Sequence, residues 1–412
     1  MTTPRRALPL LLVPWRLVPV LASFLALGPA PSAAADDVTT VRTLEALRTA
    51  LSNARPGRRI RVAPGTYAGG LAFQGIAGAK DRPVVLEAED PAKPPVFRGG
   101  ANGFQFTDAA WFEVRGLVFE GATGNGLNID DGGTPDTPTH HVVLRDLVVR
   151  DVGPDGNRDG LKLSGLLDFR VEGCTVERWG RGGSAVDMVG CQRGVIEGNT
   201  FRHEPGAEHA SGVQGKGATR DVTIRRNRFE HAGARAVNAG GSTGLAFFRP
   251  PLEAWKGPKY EAKDLVVEGN TFVGSTTPIA FVGVDGATFR FNTVYLPGRW
   301  ALRVLQETRE PGFVPARGGV VTDNVFAFRS DRWAEGGVNV GSGTEPASFR
   351  FARNVWWCED APARTRALVR LPVEEDDGVY GKDPGFRDAA AGDLRVRRDG
   401  PAARAGADAL PK

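Results

Sequence analysis

The 412-residue chain sets 52 Lys+Arg against 48 Asp+Glu and contains 41% hydrophobic residues, 54 Gly and 3 Cys. That apolar content excludes wholesale disorder and the few cysteines exclude a disulfide-stapled scaffold, so a hydrophobic core must carry the stability. Glycine this abundant without a strict period excludes collagen and points to many short strands joined by turns.

The first residues read as a targeting segment. Arg5 and Arg6 open it, Arg16 interrupts, an apolar run extends from Leu17 to Leu27, and Pro31-Ser32-Ala33-Ala34-Ala35 offers small residues for cleavage before Asp36. Residues 1–35 are therefore expected to be a signal peptide, the run being short for a bilayer span. Residues 36–412 would be the mature domain, exported to the periplasm or the extracellular medium. Without the three leading arginines the charges are 49 positive and 48 negative, a net of +1. Such a balance leaves no footprint for nucleic acid, and no second long apolar run asks for a membrane. A monomer is expected.

From residue 114 onward a short motif recurs. It reads apolar, polar, Gly or charged, Asn, apolar: VEGCTVERWG (171–180), VIEGNTFRH (195–203), TIRRNRFEH (223–231), VVEGNTFVG (266–274), TFRFNTVY (288–295), VTDNVFAF (321–328) and FARNVWW (351–357), after degenerate copies at 114–121 and 143–151. Aligned on Asn199, Asn227, Asn270, Asn292, Asn324 and Asn354, the steps are 28, 43, 22, 32 and 30 residues. A second strand follows each motif after a Gly-rich turn, with one polar residue between two apolar ones, as in Leu161-Lys162-Leu163 and Val186-Asp187-Met188. Alternation of period two means half-buried strands, and a coil of two such strands cannot bury its apolar face unless neighbours stack on it. A parallel β-solenoid is the solution, with the asparagines as stacked structural amides at its turns.

In a solenoid, equivalent positions on successive coils lie about 4.8 Å apart. The outward positions then form one column: Asn128, Lys162, Asp187, Gln214, Asn238, Ala280, Arg303 and Asn339. Beside it runs a second, Ser164, Val189, Lys216, Gly240 and Val282, which sets Lys216 next to Asp187, Gln214 and Asn238. A long insertion, 240–263, follows that face and gathers Phe247, Phe248, Arg249, Trp255 and Tyr260. Aromatic rings there would stack on sugars and Arg249 would hold an acidic group in its fork, unless the rings form a satellite core of the loop. His203 and His231 fall at equivalent repeat positions and are expected to stack, with His209 between them in sequence. Cys174 occupies an Asn position; a bridge to Cys191 and free buried thiols are both open.

This layout resembles the right-handed parallel β-helix of the pectate-lyase-like superfamily over nearly the whole mature chain. VRTLEALRTALSNARPGRRIRVAPGTYAG (41–69) is similar to the capping helix, turn and first strand of such proteins, including the chondroitinase-B and alginate lyase family, and KDPGFRDAAAGDLRVRRDGPAARAG (382–406) to their closing motif. The resemblance implies an all-β domain of a single right-handed β-helix, capped at 36–70 and at 376–412, whose face takes polysaccharide. SGVQGKGATRDVTIRRNRF (211–229) resembles the coil that bears the catalytic lysine of that family, at Lys216. The Arg expected on the next coil is replaced by Asn238 or Ala239, with Arg235 at the start of that strand, and the family's calcium-binding carboxylates are not recognisable.

The expected activity is β-elimination on an acidic, uronate-containing polysaccharide. Lys216 would be the base, Asp187 its neighbour, Lys162 and Arg235 supporting cations, and Gln214, Asn238, Arg249, Phe248, Trp255 and Arg303 the substrate contacts. No cofactor is fixed by the sequence; calcium is the candidate, as a neutraliser of the uronate carboxylate. A glycoside hydrolase, with Asp159 and Asp187 as its carboxyl pair, and a non-catalytic carbohydrate-binding β-helix are the alternatives.

Overall fold

A computed structural model describes residues 37–206 and 209–411. The expected signal peptide lies outside them, and no helix among the described residues is long and apolar enough to cross a membrane. Three parallel sheets of 14, 10 and 12 strands run the length of the molecule, and each strand pairs with its equivalents one coil away. The chain is a parallel β-helix with three strands per coil, not two.

The third strand was hidden inside the Asn motif. Thr200–Arg202 is separated from Val195–Glu197 by only Gly198 and Asn199. Gly198 has φ 67°, and Arg226 holds the same bend in the next coil at φ 53°. A left-handed residue followed by an inward Asn turns the chain sharply enough to start a new sheet, whereas polarity alternation alone reads the two short strands as one.

The asparagines satisfy these bends. The Asn199 backbone N–H donates to Asn227 Oδ1 at 2.9 Å, while Asn227 Nδ2 donates to the Ile196 carbonyl at 2.9 Å. The pattern repeats through Asn270, Asn292, Asn324 and Asn354. It ends on Cys174, whose N–H donates to Asn199 Oδ1 at 2.7 Å, and on Glu375, which accepts from Asn354 Nδ2 at 2.6 Å. Asn270→Leu keeps the volume but strips the acceptor from buried Asn227 and the donor from the Ile224 carbonyl. Its expected cost is about 2–3 kcal/mol in a denaturant titration; an unchanged midpoint would show the ladder to be dispensable.

All three thiols are free and buried. Burial pushes Cys174 and Cys191 up to about 12, so neither is a nucleophile. His203 stacks not on His231 but on His209, at 3.4 Å between ring centroids, with Trp179 against it edge-on.

At the first coil, Thr43 caps the helix Leu44–Ser52 by accepting from the Ala46 N–H, and Leu47, Ala50 and Leu51 are buried. The other end differs from a simple cap. Glu375–Asp376 and Val379–Tyr380 complete a last coil. The chain beyond forms the antiparallel pair Phe386–Asp388 and Asp393–Val396 and then folds back along the flank. There Gly406 N–H donates to the Asp323 carbonyl and Arg226 reaches the Pro411 carbonyl. The reason is a second apolar cluster, Val325, Ala327 and Val355 with Phe386, Leu394 and Val396, which this segment covers.

Candidate functional site

The ten-stranded sheet carries the outward column in the expected register. Asn128 pairs with Lys162, Lys162 with Asp187, Asp187 with Gln214 and Gln214 with Asn238. Beyond Asn238 follow Ala280, Arg303 and Asn339. Val189 pairs with Lys216, which puts that lysine in the adjacent column. Inward neighbours Val186, Met188, Val213, Val237 and Ala239 are fully buried in the core, so these strands are fixed from behind.

Asp187 is the centre, at 0% exposure. Lys162 Nζ contacts its Oδ2 directly, and Lys216 Nζ lies 3.5 Å from the same oxygen. The second carboxylate is Asp159, whose Oδ1 accepts from the Ser184 N–H at 2.8 Å and whose Oδ2 lies 3.7 Å from Lys162 Nζ. Burial, reinforced by Asp187, pushes Asp159 up to about 6. For Lys162, burial pulls the ammonium down, but Asp187 and Asp159 outweigh it and hold it above its ordinary value. Lys162 is therefore locked as a cation between two carboxylates. Lys216 shares one carboxylate at longer range and also lies 3.4 Å from Gln214 Oε1.

The two lysines thus differ in kind. They differ in pairing rather than in exposure: Lys162, 20% exposed, is held between two carboxylates, whereas Lys216, 16% exposed, lies at longer range from one of them. Asp159 sits just before its strand and is buried beside Lys162 and Asp187. Two buried carboxyls bridged by one ammonium leave no gap for a sugar, which removes the geometric basis for the hydrolase pair.

The insertion forms a wall along one edge of this face. Gly241 has φ 150°, and a Cβ there would lie 2.5 Å from Gln214 Nε2, so the loop leaves the sheet in contact with the site. Thr243 and Gly217 are both tied to buried Glu261, and the Arg249 N–H donates to the Gly217 carbonyl at 3.2 Å. The chain then runs back to earlier coils, where Arg249 Nη2 pairs with buried Asp131 at 2.9 Å.

Several of the expected substrate contacts have partners within the chain. Arg249 is occupied by Asp131. Phe248 is buried, 5.3 Å from the Phe313 ring and 6.2 Å from Trp255, which itself packs 4.8 Å from Tyr260. These rings form a satellite cluster of the loop in which Phe248 is buried and Trp255 and Tyr260 are partly exposed. Phe247, by contrast, is 64% exposed. Arg303 lies two coils past Asn238, donating to Asn339 Oδ1 at 2.9 Å and lying over Trp300. Arg235 Nη1 reaches Asn238 Oδ1 at 3.3 Å, but its other nitrogen pairs with Glu307 at 2.6 Å. The sequence signals for Glu261, Glu307 and Asp131 were absent, because each acts through a loop whose path the repeat does not set.

Among the described residues no group of three His, Cys, Asp or Glu is placed to hold a metal, and the central carboxylate faces two lysine side chains rather than further acids.

The family described as "Right handed beta helix region" matches residues 102–294. No curated protein sequence matches the chain. Among solved structures, the PL6 family alginate lyase AlyGC aligns at 15% identity and a TM-score of 0.50, over 91% of this chain and 59% of that one. An alginate lyase from Paenibacillus sp. str. FPU-7 aligns at 18% identity and a TM-score of 0.49, over 75% of this chain and 99% of that one. A GH136 lacto-N-biosidase from Eubacterium ramulus aligns at 12% identity and a TM-score of 0.46, over 82% and 64%. The chain spans about three fifths of the AlyGC structure. The family match and the AlyGC alignment speak for the fold alone, a right-handed parallel β-helix.

Proposed function

We propose that the chain is an exported polysaccharide lyase that cleaves a uronate-containing chain by β-elimination. The observation that carries this reading is the division of labour between the two lysines on one polar face. The fold is shared with the alginate lyase AlyGC aligned above, which supports a polysaccharide as the substrate class.

In the proposed step Lys216 Nζ, as the free amine, takes the proton alpha to the uronate carboxylate. The released electron pair forms the C4=C5 double bond, the C4–O bond breaks, and the leaving oxygen takes up a proton from water. Gln214 and Asn238 donate amide N–H groups to the carboxylate on which charge develops, and Lys162, held cationic, adds a fixed positive field. Incubation with alginate, pectate and chondroitin should raise the ultraviolet absorbance of the unsaturated product on at least one of them. Binding without that signal would overturn the lyase reading in favour of a carbohydrate-binding protein.

In this reading amides and ammonium, not calcium, neutralise the carboxylate. Activity should therefore be the same with a chelator as with added calcium. Loss of activity on chelation, restored by calcium, would show that a metal does this work.

A further inference from the structure

We infer that the groove is closed at one end, one coil past Asn238, so that it receives the end of a polyuronate chain and not its middle; the inference rests on the uronate reading above. The first observation is Ala280. It follows Asn238 in the outward column, yet it is fully buried and does not belong to the hydrophobic core, and the same holds for Val282. Asp187 and Asn238 in the same column are as buried, at 0% and 2%, but beneath the Lys162, Lys216 and Arg235 side chains that pair with them; Ala280 has no such partner, so another segment lies over the outer face of this coil.

What crosses it is an ion pair. Arg235 opens the strand Arg235–Gly240 at one edge of the face, whereas Glu307 follows the strand Leu302–Leu305 at the opposite edge, two coils further on. Their 2.6 Å contact spans the intervening coil Thr277–Val282. The segment carrying Glu307 is itself held firmly. Lys259 N–H donates to the Gly312 carbonyl at 2.9 Å and Val314 N–H to the Lys259 carbonyl at 2.8 Å, which zips this loop to the 240–263 insertion. Beneath it Glu261 accepts from the Thr308 hydroxyl, and Gln306 Oε1 accepts from the Ala316 N–H at 2.8 Å.

In the other direction the column continues through Lys162, Asn128 and Gln105, all partly exposed. From Asn238 to Gln105 this is five coil steps, about 24 Å of face. A linear polyanion laid along it stops against Arg235, whose guanidinium already bridges Asn238 and Glu307. Arg303 lies beyond the barrier and has no part in this groove.

The test counts protein molecules bound per chain. Lys216→Ala protein, which should not cut, is titrated by calorimetry into alginate and polygalacturonate fractions of increasing length. An end-binding groove gives a fixed number per chain whatever the length; with Arg235→Ala and Glu307→Ala added, the number should rise with length. A count that already scales with length in the Lys216→Ala protein overturns the closed end. A count still fixed in the triple variant overturns its assignment to this ion pair. Absence of binding to every fraction overturns the uronate reading itself, and this inference with it.

Discussion

Lys216→Arg should be as inactive as Lys216→Ala, with both losing about 10²–10⁴-fold in kcat. The arginine variant is the informative one. It retains a positive charge beside Asp187 and Gln214, so a role limited to neutralising the substrate carboxylate would survive it. A guanidinium does not deprotonate in proteins, so a role as base would not. Lys162→Arg should behave differently, because Lys162 works as a cation between Asp187 and Asp159. There the loss should be small and track stability. Initial rates on the responsive polymer, with thermal melts of each variant, separate the cases. Substantial activity in Lys216→Arg would remove the base from this position.

The column of outward residues was legible because register in a solenoid follows from hydrophobic alternation. Once Val186 and Met188 must face inward, Asp187 faces outward, and stacking makes the rest obligatory. The asparagine ladder was legible for the same reason. The third strand was not, since Gly198 and Arg226 bend the chain within what periodicity treats as one element. The walls of the site were least legible. Phe247 and Phe248 are adjacent and identical in type, yet one is exposed and the other buried against Phe313, a residue brought near only by the pairing of two insertions. Arg249 and Arg235 looked like free cations because their partners, Asp131 and Glu307, are 118 and 72 residues away. Charge at a site is a net quantity, and sequence lists ions without their counter-ions.

The cluster of buried Asp159 and Asp187 with part-buried Lys162 and Lys216 makes two stability changes of opposite sign expected. Asp187→Ala removes the carboxylate between Lys162 and Lys216 and leaves Lys216 with no other acid within ion-pair distance among the described residues. Breaking a buried pair in this way should cost about 3–5 kcal/mol near neutral pH. Asp159→Asn should do the reverse. The folded state raises this carboxyl from its ordinary 3.8 to about 6. Between those values the folded chain binds more protons than the unfolded one, so this group's contribution to stability falls as pH rises through the window. Above it, Asp159 is ionised in both states and the folded protein carries the full cost of burying that charge. Asparagine keeps an acceptor for the Ser184 N–H without the charge. The variant should therefore gain on the parent as pH is raised from about 4 to about 6, and hold that gain above. Arginine-paired carboxylates such as Glu120 and Asp151 are lowered by their partners and impose the opposite slope on both proteins, so they cancel in the difference. Urea titrations of both proteins across this range measure it. A difference that does not change with pH would show that Asp159 titrates alike in the folded and unfolded chain, and that Lys162 fully offsets its burial.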